Sequence, residues 1–326
     1  VKAAQVVARH RIEIVEVEAP SLDAEAEGSL LVRPLLSGIC GTDMPQFDLP
    51  RTDAEYPLNP GMTVHECIGV VGDSRSSRFR EGDEVLALPR GHGALAECYV
   101  SHEAVAVPVV PGWPREQLLM AQPLGTVIWA MRKLGNLLGK DAVVVGQGPN
   151  GLLIAHMLSN LGVRTIVATD LHDYRLEVSK LMRATHTVNP QRDDPGEVVM
   201  DLTNGRGADL VVEAVGHQVE SINQCLKMVR RGGTVLAFGV PDDKVYAFRY
   251  REFFRRNITL IGTVVPEPQK DFPLAMDMIV QGRIGVTPLI THRLEFEQAQ
   301  RGLELACNKE DGAIKVLFEY RPGVDG

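Results

Sequence analysis

The stretch "VVVGQGPNGLLIAHML", residues 143–158, decides the fold. It opens on three valines, turns through Gly146, Gly148 and Gly151 in GxGxxG spacing, and continues as an apolar helical segment. Between a strand and a helix each glycine has its own task. The first permits the tight turn, the second lets the backbone approach a pyrophosphate, and the third lets the helix pack closely on the strand. The helix start at Pro149 and Asn150 then offers free N–H groups to phosphates. The same spacing without a flanking strand and helix is weak evidence.

Working outward, "RTIVATD" (164–170) reads as the next strand and ends in Asp170, 24 residues beyond Gly146. A carboxylate there accepts hydrogen bonds from the hydroxyls of an adenosine ribose and repels a 2′-phosphate, so NAD is expected over NADP. His172 and Arg175 keep the second option open. A cap for the following helix is the bland reading of Asp170, and it leaves the glycines unexplained. The strand and helix alternation continues through "DYRLEVSKLMRA", "THTVN", "ADLVVEAVG", "SINQCLKMVR", "GGTVLAFGV" and "NITLIGTVV". About six strands result, the count expected of an α/β doubly wound parallel sheet. Gly239, which closes the fifth of these strands, is taken as a further cofactor contact.

Upstream, from Val1 to about Val109, short alternating runs such as "SLLVRPLL", "ECIGVVGD" and "GDEVLALP" are broken by Gly and Pro and suit a small β-rich unit. Downstream, "PLAMDMIVQGRI" reads as a helix and "GAIKVLFEY" as a strand that folds back on the first unit. The expected division is therefore 1–122, 123–264 and 265–326. With 326 residues, 44% of them hydrophobic, the chain is long enough for two cored domains.

The charge balance, 34 Lys and Arg against 42 Asp and Glu, repels polyphosphate backbones and acidic membranes, which leaves small solutes as the expected partners. The basic run "FRYREFFRRN" (Arg249, Arg251, Arg255, Arg256) is a local exception, read as a solvated helix face. The opening "VKAAQVVARHRIEIVEVEAP" alternates like a strand and does not resemble a signal peptide, and no apolar segment approaches a membrane span. Five scattered cysteines without a CxxC pair argue against a disulfide framework, so the expected compartment is the cytoplasm.

One of those cysteines, Cys40, sits in "SGICGTD" (37–43), directly before Gly41, Thr42 and Asp43; His65 follows 25 positions later in "HECIGVVG" (65–72), with Glu66 at its side. Thiolate, imidazole and carboxylate together are good zinc ligands, and three of them with one open position describe a catalytic site. Spacing alone is a weak signal, because a lone cysteine among small residues is usually an apolar filler.

"SGICGTD", "HECIGVVG", "GDEV" and "ALAECYV", followed by the GxGxxG unit and then "GAIKVLF", resemble the zinc-containing medium-chain dehydrogenases, the alcohol, polyol and threonine dehydrogenase group. The resemblance spans nearly the whole chain. It implies a GroES-like catalytic domain, a Rossmann domain and a cleft between them. It also implies one catalytic zinc on Cys40, His65 and Glu66, a small alcohol or ketone substrate, and homo-oligomers that pair through a sheet edge such as "NITLIGTVV". Thr42 would carry the proton, Asp43 would orient the network or bond the loop, Thr126 would touch the nicotinamide side, and Lys315 would approach the cofactor phosphates.

Three departures qualify the match. "AQPLGTV" has Gln122 where polyol-type members carry a glutamate beside the metal, so Gln122 is a candidate ligand or supporting residue. "ALPRGHGALAECYV" runs straight through where many members carry a four-cysteine structural zinc lobe; His92 there reads as a loop histidine. Pro45 stands where many members have a proton-relaying histidine. Two rival readings follow: a zinc-free quinone or enoyl reductase using NADPH, which metal analysis would separate, and a noncatalytic dinucleotide sensor, which a substrate screen would test.

Overall fold

The computed structural model describes residues 1–242 and 245–321. Its described residues divide into two compact units, one within residues 1–122, 267–280 and 290–321, the other within residues 123–266 and 281–289. Residues 265–266 and 281–289, read from the sequence as part of the return to the first unit, thus cluster with the second.

The first unit opens with β1 (Lys2–Ala8) and β2 (Arg11–Glu16), an antiparallel hairpin, as the alternating N-terminal pattern predicts. Then come β3 (Ser29–Gly38), α1 (Met44–Asp48), β4 (Glu66–Ser74), β5 (Glu84–Ala87), β6 (Tyr99–His102), β7 (Ala106–Pro108) and α2 (Arg115–Leu119). Between β5 and β6 the chain makes only a short 3₁₀ turn, Arg90–His92; the side chain of His92 lies outside the described residues.

After α3 (Ala121–Arg132) the second unit alternates strictly. Strands β8 (Asp141–Val145), β9 (Thr165–Thr169), β10 (His186–Val188), β11 (Ala208–Glu213), β12 (Val229–Ala237) and β13 (Thr259–Gly262) are joined by α4 (Pro149–Asn160), α5 (Asp173–Leu181), α6 (Pro195–Leu202), α7 (Val219–Met228) and α8 (Tyr250–Arg255). The chain then returns through α9 (Pro268–Val280), β14 (Ile290–Glu295), α10 (Ala299–Asn308) and β15 (Lys315–Glu319).

The second unit's six strands are all parallel, in the order β10-β9-β8-β11-β12-β13. The order reverses beside β8, so the chain ends of β8 and β11 form the switch point where such sheets bind ligands. Val143, Val211 and Val235 from the central strands pack with Val199 and Leu226 of the covering helices, all buried. The near-continuous apolar runs in the sequence reflect burial of these strands on both faces. Each fully buried aliphatic side chain contributes about 1.5–3 kcal/mol.

The first unit's sheet runs β14-β15-β3-β4-β5-β7, with β6 also on β3. Two cores flank it: Leu30, Val32, Val71, Val85 and Tyr99 on one side, and Phe47, Leu95, Leu303 and Phe318 under α10 on the other. For the site, the important register is that of β15, β3 and β4: Gly38 of β3 lies between Leu317 and Glu66.

Candidate functional site

Cys40 leaves the end of β3 and opens a 3₁₀ turn, Gly41–Asp43. The turn is held from within, because the Cys40 amide donates to Asp43 Oδ2 at 2.7 Å. His65 and Glu66 stand where β4 begins. The ligand atoms of Cys40, His65 and Glu66 lie within 4.8 Å of one another, the single such grouping of His, Cys, Asp and Glu among the described residues. Gly38 makes room for it: a Cβ there would come within 3.0 Å of Glu66 Oε2.

Asp43, which the sequence left between orienting a proton network and bonding the loop, bonds the loop and also reaches beyond it. Its Oδ1 accepts from Thr63 Oγ1 at 3.0 Å and from His65 Nδ1 at 3.0 Å. That bond fixes the imidazole and leaves Nε2 as its coordinating atom, the carboxylate–histidine arrangement that supports zinc ligands. Burial by itself would raise the Asp43 carboxyl, but His65, the Cys40 amide and Thr63 more than offset it and hold it below the ordinary carboxylate value. Burial likewise opposes a charged His65, yet Asp43 and then Cys40 raise it well above the usual imidazole value. A metal seated here would displace that proton.

Glu66 is fully buried, as is Lys315 at the start of β15. The Lys315 ammonium donates to Glu66 Oε1 at 2.9 Å, to Glu66 Oε2 at 2.7 Å and to the Ile39 carbonyl at 2.9 Å. Its three protons are thereby used. Lys315, expected on the cofactor phosphates, is instead the counter-charge of Glu66, with no proton left to offer a phosphate. Burial pushes the Glu66 carboxyl up, and the Lys315 charge opposes that rise.

The thiol, imidazole and carboxylate of Cys40, His65 and Glu66 form a set that zinc accepts, gathered at one point and braced from behind, so the residues present fit a catalytic zinc. The other cysteines differ in kind. Burial pushes the thiols of Cys67 and Cys307 up to about 12 and that of Cys98 to about 11, and raises Cys225 well above the ordinary value. Such thiols are structural filler.

Thr42 is half-buried in the same turn as Cys40, and Pro45 lies in α1. Gln122 is buried in the first turn of α3, and half-buried Thr126 follows it by four residues on the same helix face.

In the second unit Gly146 has a left-handed φ of 91°, where a Cβ would also strike Val215 at 2.8 Å. At Gly151 a Cβ would lie 1.9 Å from the Gly146 carbonyl oxygen, so only glycine lets α4 sit on the turn. Gly148 faces open space, and Asn150 Oδ1 is buried without a partner at the same helix start. An open backbone cradle at a helix start, with no side chain in the way at Gly148, fits a dinucleotide phosphate.

Asp170 accepts the Gln147 amide at 2.8 Å and the His172 amide at 2.9 Å, and pairs with Arg175 at 3.9 Å. Gly239 lies beside Gly216 and Glu213, too close for any Cβ. Sequence reading missed Glu213, whose buried carboxylate accepts the amides of Val215 and Gly216 at 3.0 Å each, and buried Gln147, which braces the turn through Val144, Gly146 and Ser179. Neither has a motif of its own. The basic run was misread at one position: Arg249, Arg251 and Arg255 are exposed as expected, but Arg256 is drawn inward to cap the carbonyls of Leu226 and Val229.

Comparison with known proteins agrees with this geometry. Residues 149–281 match the zinc-binding dehydrogenase family, and residues 26–118 match the alcohol dehydrogenase GroES-like domain. The chain is 30% identical to an L-threonine 3-dehydrogenase of Bacillus licheniformis, covering 92% of this chain and 94% of that one. It is 25% identical to a sorbitol dehydrogenase of Bacillus subtilis, covering 97% and 96%. An alcohol dehydrogenase structure from Thermus sp. ATN1 superposes with a TM-score of 0.88 at 26% identity, covering 98% of this chain and all of that one. With a thiolate, imidazole and carboxylate gathered in one unit and a glycine-rich dinucleotide turn in the other, this chain belongs to the zinc-type medium-chain dehydrogenase family.

Proposed function

We propose that the protein is a zinc-dependent dehydrogenase that moves hydride between a secondary alcohol and NAD, the alcohol being a polyol, cyclitol, sugar or amino alcohol. The observation that carries this reading is the convergence of Cys40, His65 and Glu66 within 4.8 Å, with the far side of His65 braced by Asp43. The polyol-like motifs and the threonine and sorbitol dehydrogenase relatives support that substrate range.

A zinc ion held by Cys40, His65 and Glu66 supplies a Lewis acid for a substrate oxygen, and a bound nicotinamide dinucleotide supplies the hydride acceptor. The chain itself orients and balances charge. Asp43 keeps the His65 ring in one orientation, and Lys315 holds Glu66 in place while compensating its buried charge. The Thr42 hydroxyl accepts a proton from the substrate and donates its own onward, a role that falls to it because Pro45 has none to give. Gln122 is the neutral supporting residue beside the metal, or a ligand to it. Thr126 borders the nicotinamide.

The Gly146–Gly151 turn, with Pro149 and Asn150, receives the pyrophosphate. Asp170 favours NAD, since its carboxylate welcomes ribose hydroxyls and repels a 2′-phosphate. Arg175, already beside Asp170, serves to hold that carboxylate. Gly239 borders the cofactor at the end of β12.

No described helix is long and apolar enough to cross a membrane. All five cysteines are free, which suits a reducing cytoplasm. β13 closes the parallel sheet with Leu260 exposed, and a homo-oligomer would form along that edge. The deciding experiment is a screen of zinc-replete protein against polyols, cyclitols, amino alcohols and simple alcohols, with NAD and with NADP, following nicotinamide reduction. Turnover of a secondary alcohol with NAD, lost on zinc removal, is the expected result. Full activity in the zinc-free protein would overturn it.

A further inference from the structure

A second polar recess lies at the other end of α4 from the glycine turn, roughly 18 Å along the helix axis. It has a volume of about 530 Å³ and is lined by His156, Ser159 and Asn160 of α4, by Arg183 after α5, and by Arg283 and Gly285 of the loop after α9. No carboxylate lines it. Most arginines of this acidic chain find one: Arg164, Arg192, Arg230 and Arg301 are all ion-paired. Among the described residues Arg183 and Arg283 find neither an ion pair nor a side-chain hydrogen bond.

The recess is built. Asn160 Nδ2 donates to the Arg283 carbonyl at 2.8 Å, which pins the loop bearing that guanidinium against α4. Arg183 has a left-handed φ of 68°, a position that glycine or asparagine ordinarily takes at a helix end. His156 Nδ1 is buried with no hydrogen-bond partner. Burial, and then the charge of Arg183, lower the His156 ring below its usual value, against a hydrogen bond with the Gly285 backbone.

We propose that this recess binds a phosphate group, free or carried on a small metabolite, at a site separate from the dinucleotide turn. The two guanidinium groups supply forked donors matched to phosphate oxygens. Ser159 and His156 complete the polar wall.

The test is calorimetric titration of the zinc-replete full chain with inorganic phosphate and with glycerol 3-phosphate, with glycerol as the uncharged control, each with and without saturating NAD. One equivalent of phosphate is expected to bind regardless of NAD. The double variant Arg183→Gln/Arg283→Gln should weaken it at least tenfold while the NAD Kd and the melting temperature stay unchanged. Tighter binding of glycerol 3-phosphate than of phosphate assigns the carried form, and equal binding the free ion. Binding abolished by NAD, binding unchanged in the double variant, or no binding to the native chain would each overturn the proposal.

Discussion

The candidate metal site of the first unit and the glycine turn of the second are specified in opposite ways. Around Cys40 the proposed function lies in what side chains present: a sulfur, an imidazole held by Asp43 and a carboxylate held by Lys315. Around Gly148 it lies in what side chains leave out, since a Cβ at Gly151 would stand 1.9 Å from a carbonyl oxygen and Gly148 opens onto free space. A site made of charges fails by losing balance, whereas one made of absences fails by being filled. Substitutions in one should therefore spare the other.

The largest effect is expected from Cys40→Ser. Zinc content and turnover should fall together, turnover by about a thousandfold or more, since several kcal/mol of charge stabilisation is lost. NADH fluorescence titration should show cofactor affinity within about twofold of the native chain. Loss of NADH binding in that variant would break the separation of the two sites.

Next is Lys315→Met, which strands the Glu66 carboxylate in the interior. Chemical denaturation should show a loss of about 3–5 kcal/mol, as when one partner of a buried pair is removed. Pairing it with Glu66→Leu should restore most of that stability without restoring zinc binding. A single variant as stable as the native chain would show that the pair carries little charge.

Gly151→Ala tests the other side of the comparison. Displacing α4 from the turn should cost about 1–3 kcal/mol, a five- to 150-fold loss of NADH affinity, with metal content unchanged. Asp43→Asn should have an effect of about ten- to hundredfold on zinc affinity, measured by competition with a chelator, because it removes the carboxylate behind His65 but leaves all three ligands. Unaltered zinc affinity there would reduce Asp43 to a loop brace.

The second unit was the more legible in sequence, for a physical reason. Its strands are buried on both faces and its turn demands glycine, so "VVVGQGPNG" leaves few alternatives. The first unit's candidate ligands could be read only in combination: Cys40, His65 and Glu66 converge because β3 and β4 pair with Gly38 opposite Glu66, and register is not written in any one short stretch. Lys315 lay beyond reach altogether. Nothing near "GAIKVLF" says that its lysine turns inward, because the partner that draws it there enters the chain 249 positions earlier. Arg256 escaped for a similar cause, since the carbonyls it caps belong to α7 and β12.

That long separation has a bearing on how the molecule is made. At ordinary rates of synthesis, about 5–20 residues per second, Glu66 emerges roughly 12–50 s before Lys315. Until β15 docks, the glutamate lacks the ammonium that bonds both of its oxygens and is better left hydrated. β15 thus acts as a latch, and maturation of the Cys40 pocket should await synthesis through Lys315.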